Sequence, residues 1–562
     1  MKDWRTNTIL LLFILIPAAV IISRLVFLQI VKHDFYNALA QGQQNIFSEA
    51  KGRRGEIYFC DKNDNLHLVA MNKTVKLCFA VLNEIDDKEK TSQELSMILD
   101  LKEEDILSDL NKKEVNFLVI KSRLDNEKAE KIESLNLPGI FLRDQIIREY
   151  PYGDFASHII GFVNNDGLGQ YGVEQYYDDI LTGKESFIEA KKGPAGFLFL
   201  SGEDTLSGSD LFLTIDYNIQ FKAEELLEKT YENLDIEGGQ IIVMDPFSGK
   251  VLAMAQYPKY DLNSYSIYDF EIFKNGAVQK LFEPGSVFKP ITMAGALNEG
   301  KITPQTTYED PGMVKVNGWP IYNYEQRIYP GEITMTEVLE KSINTGAVFA
   351  QSQLGNEKFS EYVEKFRFFE PTDIDLPAEA SSQNEEFKKG YDINFATASF
   401  GQGLEMTPIQ LVRAFCAIAN GGKIVKPYLI KETQEDGNII ETQPEISRTS
   451  IISNDTSSKL TAMMVSVVKN GFAQKAQVPG YYVAGKTGTA QVSFAAIGED
   501  KAGYSDKTWQ SFIGWLPAFE PKFLVFVKLD NPKTKTAEYS AMPVFKDLTK
   551  YIIDYWQVPP DY

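Results

Sequence analysis

The chain has 562 residues, 44% of them hydrophobic and 12% aromatic, which calls for two to four folded units and excludes a disordered chain or a polytopic membrane protein. Its 57 Lys and Arg against 78 Asp and Glu leave a net charge of -21 with no basic block, so nucleic acid is not an expected partner. Cys60, Cys78 and Cys416 lie far apart without metal-ligand spacing, which supports neither a disulfide framework nor a zinc site and suits small apolar fillers.

The uncharged run ILLLFILIPAAVIIS, Ile9 to Ser23, continues as RLVFLQIV past Arg24. It predicts one transmembrane anchor within residues 1–30, with Arg24 snorkelling to the interface. Lys2 and Arg5 predict a cytoplasmic N-terminus and an extracytoplasmic remainder. The alternative is a cleaved signal peptide ending near Ala38–Ala40, but Arg24, Lys32, His33 and Asp34 would then lie in a long, charged cleavage region.

Residues 31–204 mix strand-like runs (VKLCFAVL, EVNFLVIK) with charged helical stretches (SQELSMILDLKEEDILSDL) and contain no catalytic constellation. SGEDTLSGSD, Ser201 to Asp210, reads as a linker or long hairpin, so a second domain is expected over 205–562. It opens with a helix capped by Asp216, with Ile219, Ala223, Leu226 and Leu227 on one face. GGQIIVMDPFSGKVLAMAQYP predicts a hairpin, SFIGWLPAFEPKFLVFVKLD repeats that pattern near the far end, and VFKDLTKYIIDYW supplies a closing helix. Strands at both ends of a helix-rich middle predict an α+β fold with an antiparallel sheet flanked by helices.

Three short motifs could carry chemistry. In EPGSVFKPIT, Pro284 and Gly285 break the preceding structure, so Ser286 should stand near a helix N-terminus. Pro290 keeps Lys289 in the first turn, on the same face as Ser286 and within hydrogen-bonding reach. A buried, neutral lysine there could take the serine proton. The tetrad alone carries little specificity, because Ser48–Lys51 and Ser466–Lys469 match it too.

In EKSINTGAVF, Ser342, Ile343 and Asn344 interrupt a helix that begins with a capping box at Thr334 and Glu337. This polar knot could face a cleft, although Ser-x-Asn also occurs at Ser134 and Ser382. In YYVAGKTGTAQV a strand-like alternation leads into Lys486, Thr487, Gly488 and Thr489. Gly488 would let a substrate backbone approach the strand, Lys486 and Thr487 could bind a carboxylate, and the Thr489 N–H could pair with that of Ser286 as an oxyanion hole. His33, His67 and His158 all precede this region, which excludes a Ser-His-Asp triad within it.

Read together and in order, Ser286-x-x-Lys289, Ser342-x-Asn344 and Lys486-Thr-Gly resemble the signature set of penicillin-binding proteins and serine β-lactamases. FEPGSVFKPITMAGAL, GQGLEMTPIQLVRAFCAIANGG and AGKTGTAQV, with REYPYGDFASHIIGFV and GQYGVEQYYDDILTGK upstream, narrow the resemblance to class B high-molecular-mass penicillin-binding proteins over nearly the whole chain. The resemblance implies a peptidoglycan D,D-transpeptidase with an elongated dimerisation or pedestal domain over 31–204 and a catalytic domain over 205–562, anchored in a bacterial cell membrane.

By that resemblance Ser286 attacks the penultimate D-alanine carbonyl of a stem peptide. Lys289 is the base, Ser342 and Asn344 relay protons and hold the substrate amide, and Lys486 and Thr487 recognise the terminal carboxylate. β-lactams are expected inhibitors. A membrane glycan polymerase and cell-division proteins are expected partners, and neither metal nor cofactor is called for. One departure is RRGEIYFCDKNDN: Arg54 and Gly55 match the family, but Asp61 comes late and Lys62 replaces an arginine, which puts contacts of the pedestal through this segment in doubt.

A β-lactamase is disfavoured by the absence of Glu-x-x-Leu-Asn between Ser342 and Lys486 and by the long pedestal. A D,D-carboxypeptidase and a non-catalytic wall-synthesis scaffold remain open. The LFEPGSVFKP segment and the compact C-terminus lean toward the septal type, while the elongation type shares the architecture.

Overall fold

The computed structural model describes residues 53–112, 116–182, 191–192, 198–199, 207–435 and 437–562. The anchor expected at Ile9–Ser23 lies outside them, and no described helix is long and apolar enough to cross a membrane. A small unit includes, among the described residues, 53–54, 182, 191–192, 198–199 and 207–208. Among its described residues, Lys191–Lys192 pair with Leu198–Phe199, and Arg54 Nη1 donates to Thr182 Oγ1 at 2.8 Å. Residues 55–181 and 209–562 form the second unit.

The second unit begins with β1 (Ile57–Cys60) and the 16-residue β2 (Leu66–Val81). These are followed by α1 (Lys88–Leu99), α2 (Glu103–Leu110), β3 (Phe117–Leu124), α3 (Asn126–Ser134) and β4 (Ile140–Glu149). The near end of β2 pairs with β1, and its far end is flanked by β3 and β4, all antiparallel. The three helices bury Leu95, Leu99, Ile106, Leu110 and Ile132 against Cys78 and Ala80 of β2. Cys78 is thus the expected apolar filler, and Cys416 is buried likewise.

After β5 (Asp210–Asp216), α4 (Tyr217–Leu234) starts where expected, the Asp216 carboxylate accepting from the Asn218 and Ile219 N–H groups. The predicted hairpin is β6 (Gly238–Met244) and β7 (Val251–Tyr257). Helix α5 (Lys289–Asn298) follows, buried from Lys289 through Leu297, as an apolar helix in the middle of a core must be. A short hairpin of β8 (Met313–Val316) and β9 (Trp319–Tyr322) leads to α6 (Met335–Glu340) and α7 (Asn344–Leu354).

The capping box expected at Thr334 and Glu337 is formed at the start of α6. Beyond lie α8 (Pro408–Ala419), β10 (Ile430–Glu435), β11 (Asn438–Glu441) and α9 (Asn454–Lys469). The chain closes with β12 (Ala484–Ser493), β13 (Tyr504–Leu516), β14 (Phe523–Asp530) and α10 (Ala541–Trp556).

Five strands make the antiparallel sheet in the order β7-β6-β14-β13-β12. Both predicted hairpins are present, and they join where Gly238–Met244 pairs with Asp530–Leu524. Helices α4 and α10 pack on this sheet and on each other. Strand β12, which carries Lys486-Thr-Gly, is an edge strand that pairs, among the described residues, only with β13.

One sheet also links the pedestal to the catalytic half. Its order is β11-β10-β5-β1-β2-β3, with β1 and β5 parallel. The segment whose contacts the sequence put in doubt does reach the catalytic half, because Lys62 N donates to the Tyr555 hydroxyl at 2.9 Å and Lys62 Nζ sits over the Tyr555 ring. The lysine therefore keeps a cation–π contact with the closing helix.

His158 also lies at this junction, its Nε2 2.8 Å from Ile272 O and 2.9 Å from Gln256 Nε2. Burial lowers its pKa to about 4. Between the usual histidine value and that one the unfolded chain binds the extra proton, so stability is complete above about pH 6.5 and falls as pH drops toward 4, by about 3 kcal/mol. Thermal unfolding across this window should show the slope in the native chain and a flattened one in His158→Gln.

Candidate active site

The Ser286 turn forms as its sequence dictates. Gly285–Phe288 is a 3₁₀ turn that runs directly into α5, whose first residues are Lys289 and Pro290. Gly285 has φ +59° and Gly401 has φ +81°. The Gly285 N–H donates to Gly401 O at 3.0 Å, so the loop 401–403 buttresses the residue before the serine.

Lys289 and Lys486 are fully buried, and both amines converge on Ser342. Lys289 Nζ donates to Ser342 O at 2.5 Å and to Ser342 Oγ at 3.2 Å. Lys486 Nζ donates to the same Oγ at 2.9 Å and to Thr487 O and Oγ1 at 3.1 and 3.4 Å. Ser342 adopts φ +53°, unusual for a residue with a Cβ, in the break between α6 and α7.

Burial, helped by the like charge of Lys486, holds the Lys289 amine well below the usual lysine range. Burial lowers Lys486 to about 7. The bonding pattern agrees with a neutral Lys289, since a neutral amine has two hydrogens and one lone pair. Both hydrogens are engaged by Ser342, which leaves the lone pair. With its donors held by Ser342, the amine can meet Ser286 only as an acceptor, and Ser286 makes no side-chain hydrogen bond among the described residues.

Asn344 opens α7 and donates from Nδ2 to Tyr322 O at 2.9 Å, leaving Oδ1 for a substrate N–H. Sequence reading missed what holds it. Buried Asp310 accepts from Thr345 Oγ1 at 2.7 Å, from Asn323 Nδ2 at 3.0 Å and from the Gly312 and Tyr329 N–H groups. Burial raises its pKa, yet these bonds together hold it below the usual carboxylate value. The loop 310–329 and the start of α7 are thereby locked side by side. The carboxylate and its partners are far apart in sequence and match no motif.

Gly488 is needed for a different reason from the one expected. A Cβ there would lie 2.5 Å from Ser511 Oγ and 2.9 Å from Pro284 O, so its space is filled by β13 and the serine turn and not by substrate. A Cβ on Gly285 would meet Thr489 O at 3.3 Å, so the Thr489 carbonyl points to the serine turn. In an extended strand the N–H and C=O of one residue point the same way, so the Thr489 N–H faces the serine turn as well.

Ser286, Ser342, Asn344, Thr487 and Thr489 line one cleft of about 860 Å³, with the lysines beneath its floor and Trp319 on its wall. The structure therefore brings all three motifs together. The competing tetrad at Ser466 is on α9, where the Ser466 hydroxyl bonds the Glu340 carboxylate and Lys469 ends the helix. The one at Ser48 lies outside the described residues.

Comparison with protein families matches residues 239–550 to the penicillin binding protein transpeptidase domain and residues 49–213 to the penicillin-binding protein dimerisation domain. Stage V sporulation protein D of Bacillus subtilis (strain 168) is 33% identical over 533 residues, covering 93% of this chain and 81% of that protein. The peptidoglycan D,D-transpeptidase FtsI homolog of Mesostigma viride is 29% identical, covering 97% and 94%. Among solved structures, penicillin binding protein 3 from Mycobacterium tuberculosis, complexed with aztreonam, superposes with a TM-score of 0.69 at 25% identity, covering 91% of this chain and 98% of that one. The chain belongs to the class B penicillin-binding proteins, serine-type D,D-transpeptidases with a dimerisation domain ahead of the transpeptidase domain.

Proposed function

We propose that this protein crosslinks peptidoglycan stem peptides in septal wall synthesis, held in a bacterial cell membrane by residues 1–30 with its catalytic half outside the cytoplasm. The chemistry is carried by one observation, the convergence of two buried amines on the Ser342 hydroxyl beside Ser286. Ser286 Oγ attacks the penultimate D-alanine carbonyl while its proton passes to the free lone pair of Lys289. The oxyanion forms between the N–H groups of Ser286 and Thr489.

Ser342 Oγ accepts from both lysines, so its own proton is the one free to move to the departing amine. Lys289 then returns the serine proton to Ser342. The C–N bond breaks, terminal D-alanine leaves and Ser286 holds an ester. An amine from a neighbouring stem peptide attacks that ester, forming the crosslink and restoring the serine. Lys486 and Thr487 hold the terminal carboxylate, Gly488 seats the serine turn against the strand, and Asn344 Oδ1 holds a substrate N–H.

Treating residues 31–562 with a fluorescent penicillin tests this. A slow-clearing adduct on Ser286, absent from Ser286→Ala, is expected. An adduct elsewhere, or none on a folded protein, would overturn the assignment. Supplying an amine acceptor then separates transfer from hydrolysis.

The septal role is supported by the names of the FtsI-type relative and of penicillin-binding protein PbpB of Mycobacterium tuberculosis, 27% identical over 99% of this chain. A glycan polymerase and other cell-division proteins would be its partners. The Bacillus relative favours a second reading, wall synthesis during sporulation. Depletion in the host distinguishes them: filaments mark the septal role, swelling marks elongation, and failed spores after normal growth mark the second reading.

A further inference from the structure

Glu283 lies three residues before Ser286 and is buried, yet the transfer chemistry gives it no part. Its carboxyl accepts from the Tyr504 hydroxyl, at 3.0 Å to Oε2 and 3.3 Å to Oε1, while the Gly403 N–H also stabilises its charge. Glu283 and its two partners come from three segments around the nucleophile. Glu283 belongs to the serine turn, Gly403 to the loop that buttresses Gly285, and Tyr504 opens β13, where it pairs with Ser493 at the end of β12.

We infer that Glu283 is a positioning residue that clamps β12 to the serine turn through Tyr504 and so fixes the span between the two N–H groups of the oxyanion hole. One of those groups, on Ser286, lies on the serine turn, and the other, on Thr489, lies on β12, an edge strand with no further strand paired to it among the described residues. Nothing in the sheet itself sets how far β12 stands from the turn. Contacts with the turn do: Gly285 lies against Ala490, where a Cβ would come within 3.0 Å of the Ala490 Cβ, and Gly488 lies against Pro284 O, 2.9 Å from a would-be Cβ, while the Glu283–Tyr504 bond sits at the Ser493–Tyr504 pair, four residues along β12 from Thr489. The two packing contacts limit approach. The hydrogen bond is the tie that prevents the strand from swinging out.

The clamp holds in either charge state. Burial pushes the Glu283 carboxyl up to about 7 against the pull of Tyr504 and Gly403, with Glu405 adding to the rise. Whether ionised or neutral, a carboxyl oxygen remains to accept from Tyr504.

This inference rests on the reading of Ser286 and Thr489 as the oxyanion hole. Its test is the acylation of the full-length protein by a chromogenic cephalosporin, followed by stopped flow to separate the acylation rate constant from the dissociation constant of the first complex. Tyr504 is partly exposed, so Tyr504→Phe removes the hydroxyl without emptying a core site. Glu283→Gln keeps the shape and weakens the bond.

Each variant should slow acylation roughly tenfold, a fraction of the 10²–10³ that loss of a whole oxyanion donor costs, with dissociation constants within about twofold. The double variant should be no slower than the slower single, because one bond is being removed. Wild-type acylation rates in both singles would overturn the clamp, as would additive losses in the double. Loss of melting temperature with no change in rate would reduce Glu283 to a purely structural role. Ser286→Ala in the same assay separates the two ideas: an adduct that survives it sinks the site reading, whereas a Ser286 adduct formed at wild-type rate in Glu283→Gln sinks only the clamp.

Discussion

Replacing Lys289 with methionine is expected to slow acylation of Ser286 by on the order of 10²–10⁴, the range by which a positioned base accelerates a proton transfer. Methionine matches the unbranched apolar stem that fills the fully buried site, so the fold should persist. The loss of the donors to Ser342 O and Oγ should cost about 1–3 kcal/mol, through an unsatisfied carbonyl and a loosened Ser342. Affinity for the unreacted β-lactam should hardly change, because the carboxylate of the ligand is assigned to Lys486 and Thr487. Stopped-flow acylation with thermal unfolding as a control reads all three quantities. A variant that acylates within tenfold of the native rate would mean that another group takes the Ser286 proton.

The same assignment fixes the sign of the pH dependence. Lys289 must be neutral to act, and burial holds its pKa well below the lysine range, so acylation is retained near neutrality and falls as pH drops through that lowered value. Protonation of Lys486, whose pKa is about 7, places a positive charge beside Lys289 and resists protonation of the base. In Lys289→Met the acid limb should disappear.

Much of this site was legible in the sequence because its parts are local. Ser286 and Lys289 share one turn, and Pro290 sets where the helix begins. The helix break at Ser342 follows from the capping box and from two helices that cannot be continuous. The order of the motifs then supplied what no single one could. What stayed hidden depends on contacts across long stretches of chain.

Lys289 turns to Ser342, 53 residues away, for its hydrogen bonds. Asp310 and Glu283 read as ordinary acids until the fold surrounds one with Asn323, Thr345 and Tyr329 and hands the other to Tyr504. Gly488 was recognised as a place of close approach, but which backbone comes close, that of Pro284, is a tertiary fact. Lys62 shows the converse, a departure from the family pattern whose long side chain still reaches Tyr555.

Gly401→Ala is expected to slow acylation about 10²-fold although Gly401 contributes no side chain to the reaction. A methyl group there would lie 2.1 Å from Gly285 O and 2.7 Å from Gly285 N. Ordinary contact requires the loop and the serine turn to part by roughly 1 Å, and a misplacement of that size is enough for such a loss. The residue also has φ +81°, so any Cβ adds about 1–2 kcal/mol of backbone strain. Gly390→Ala separates the two effects, because Gly390 has φ +77° and nothing within 4 Å of its would-be Cβ. It should show the strain alone, as a lowered melting temperature with unchanged acylation. If Gly401→Ala behaves like Gly390→Ala, the serine turn does not depend on the 401–403 loop for its position. If only Gly401→Ala loses acylation, that loop sets where the nucleophile stands.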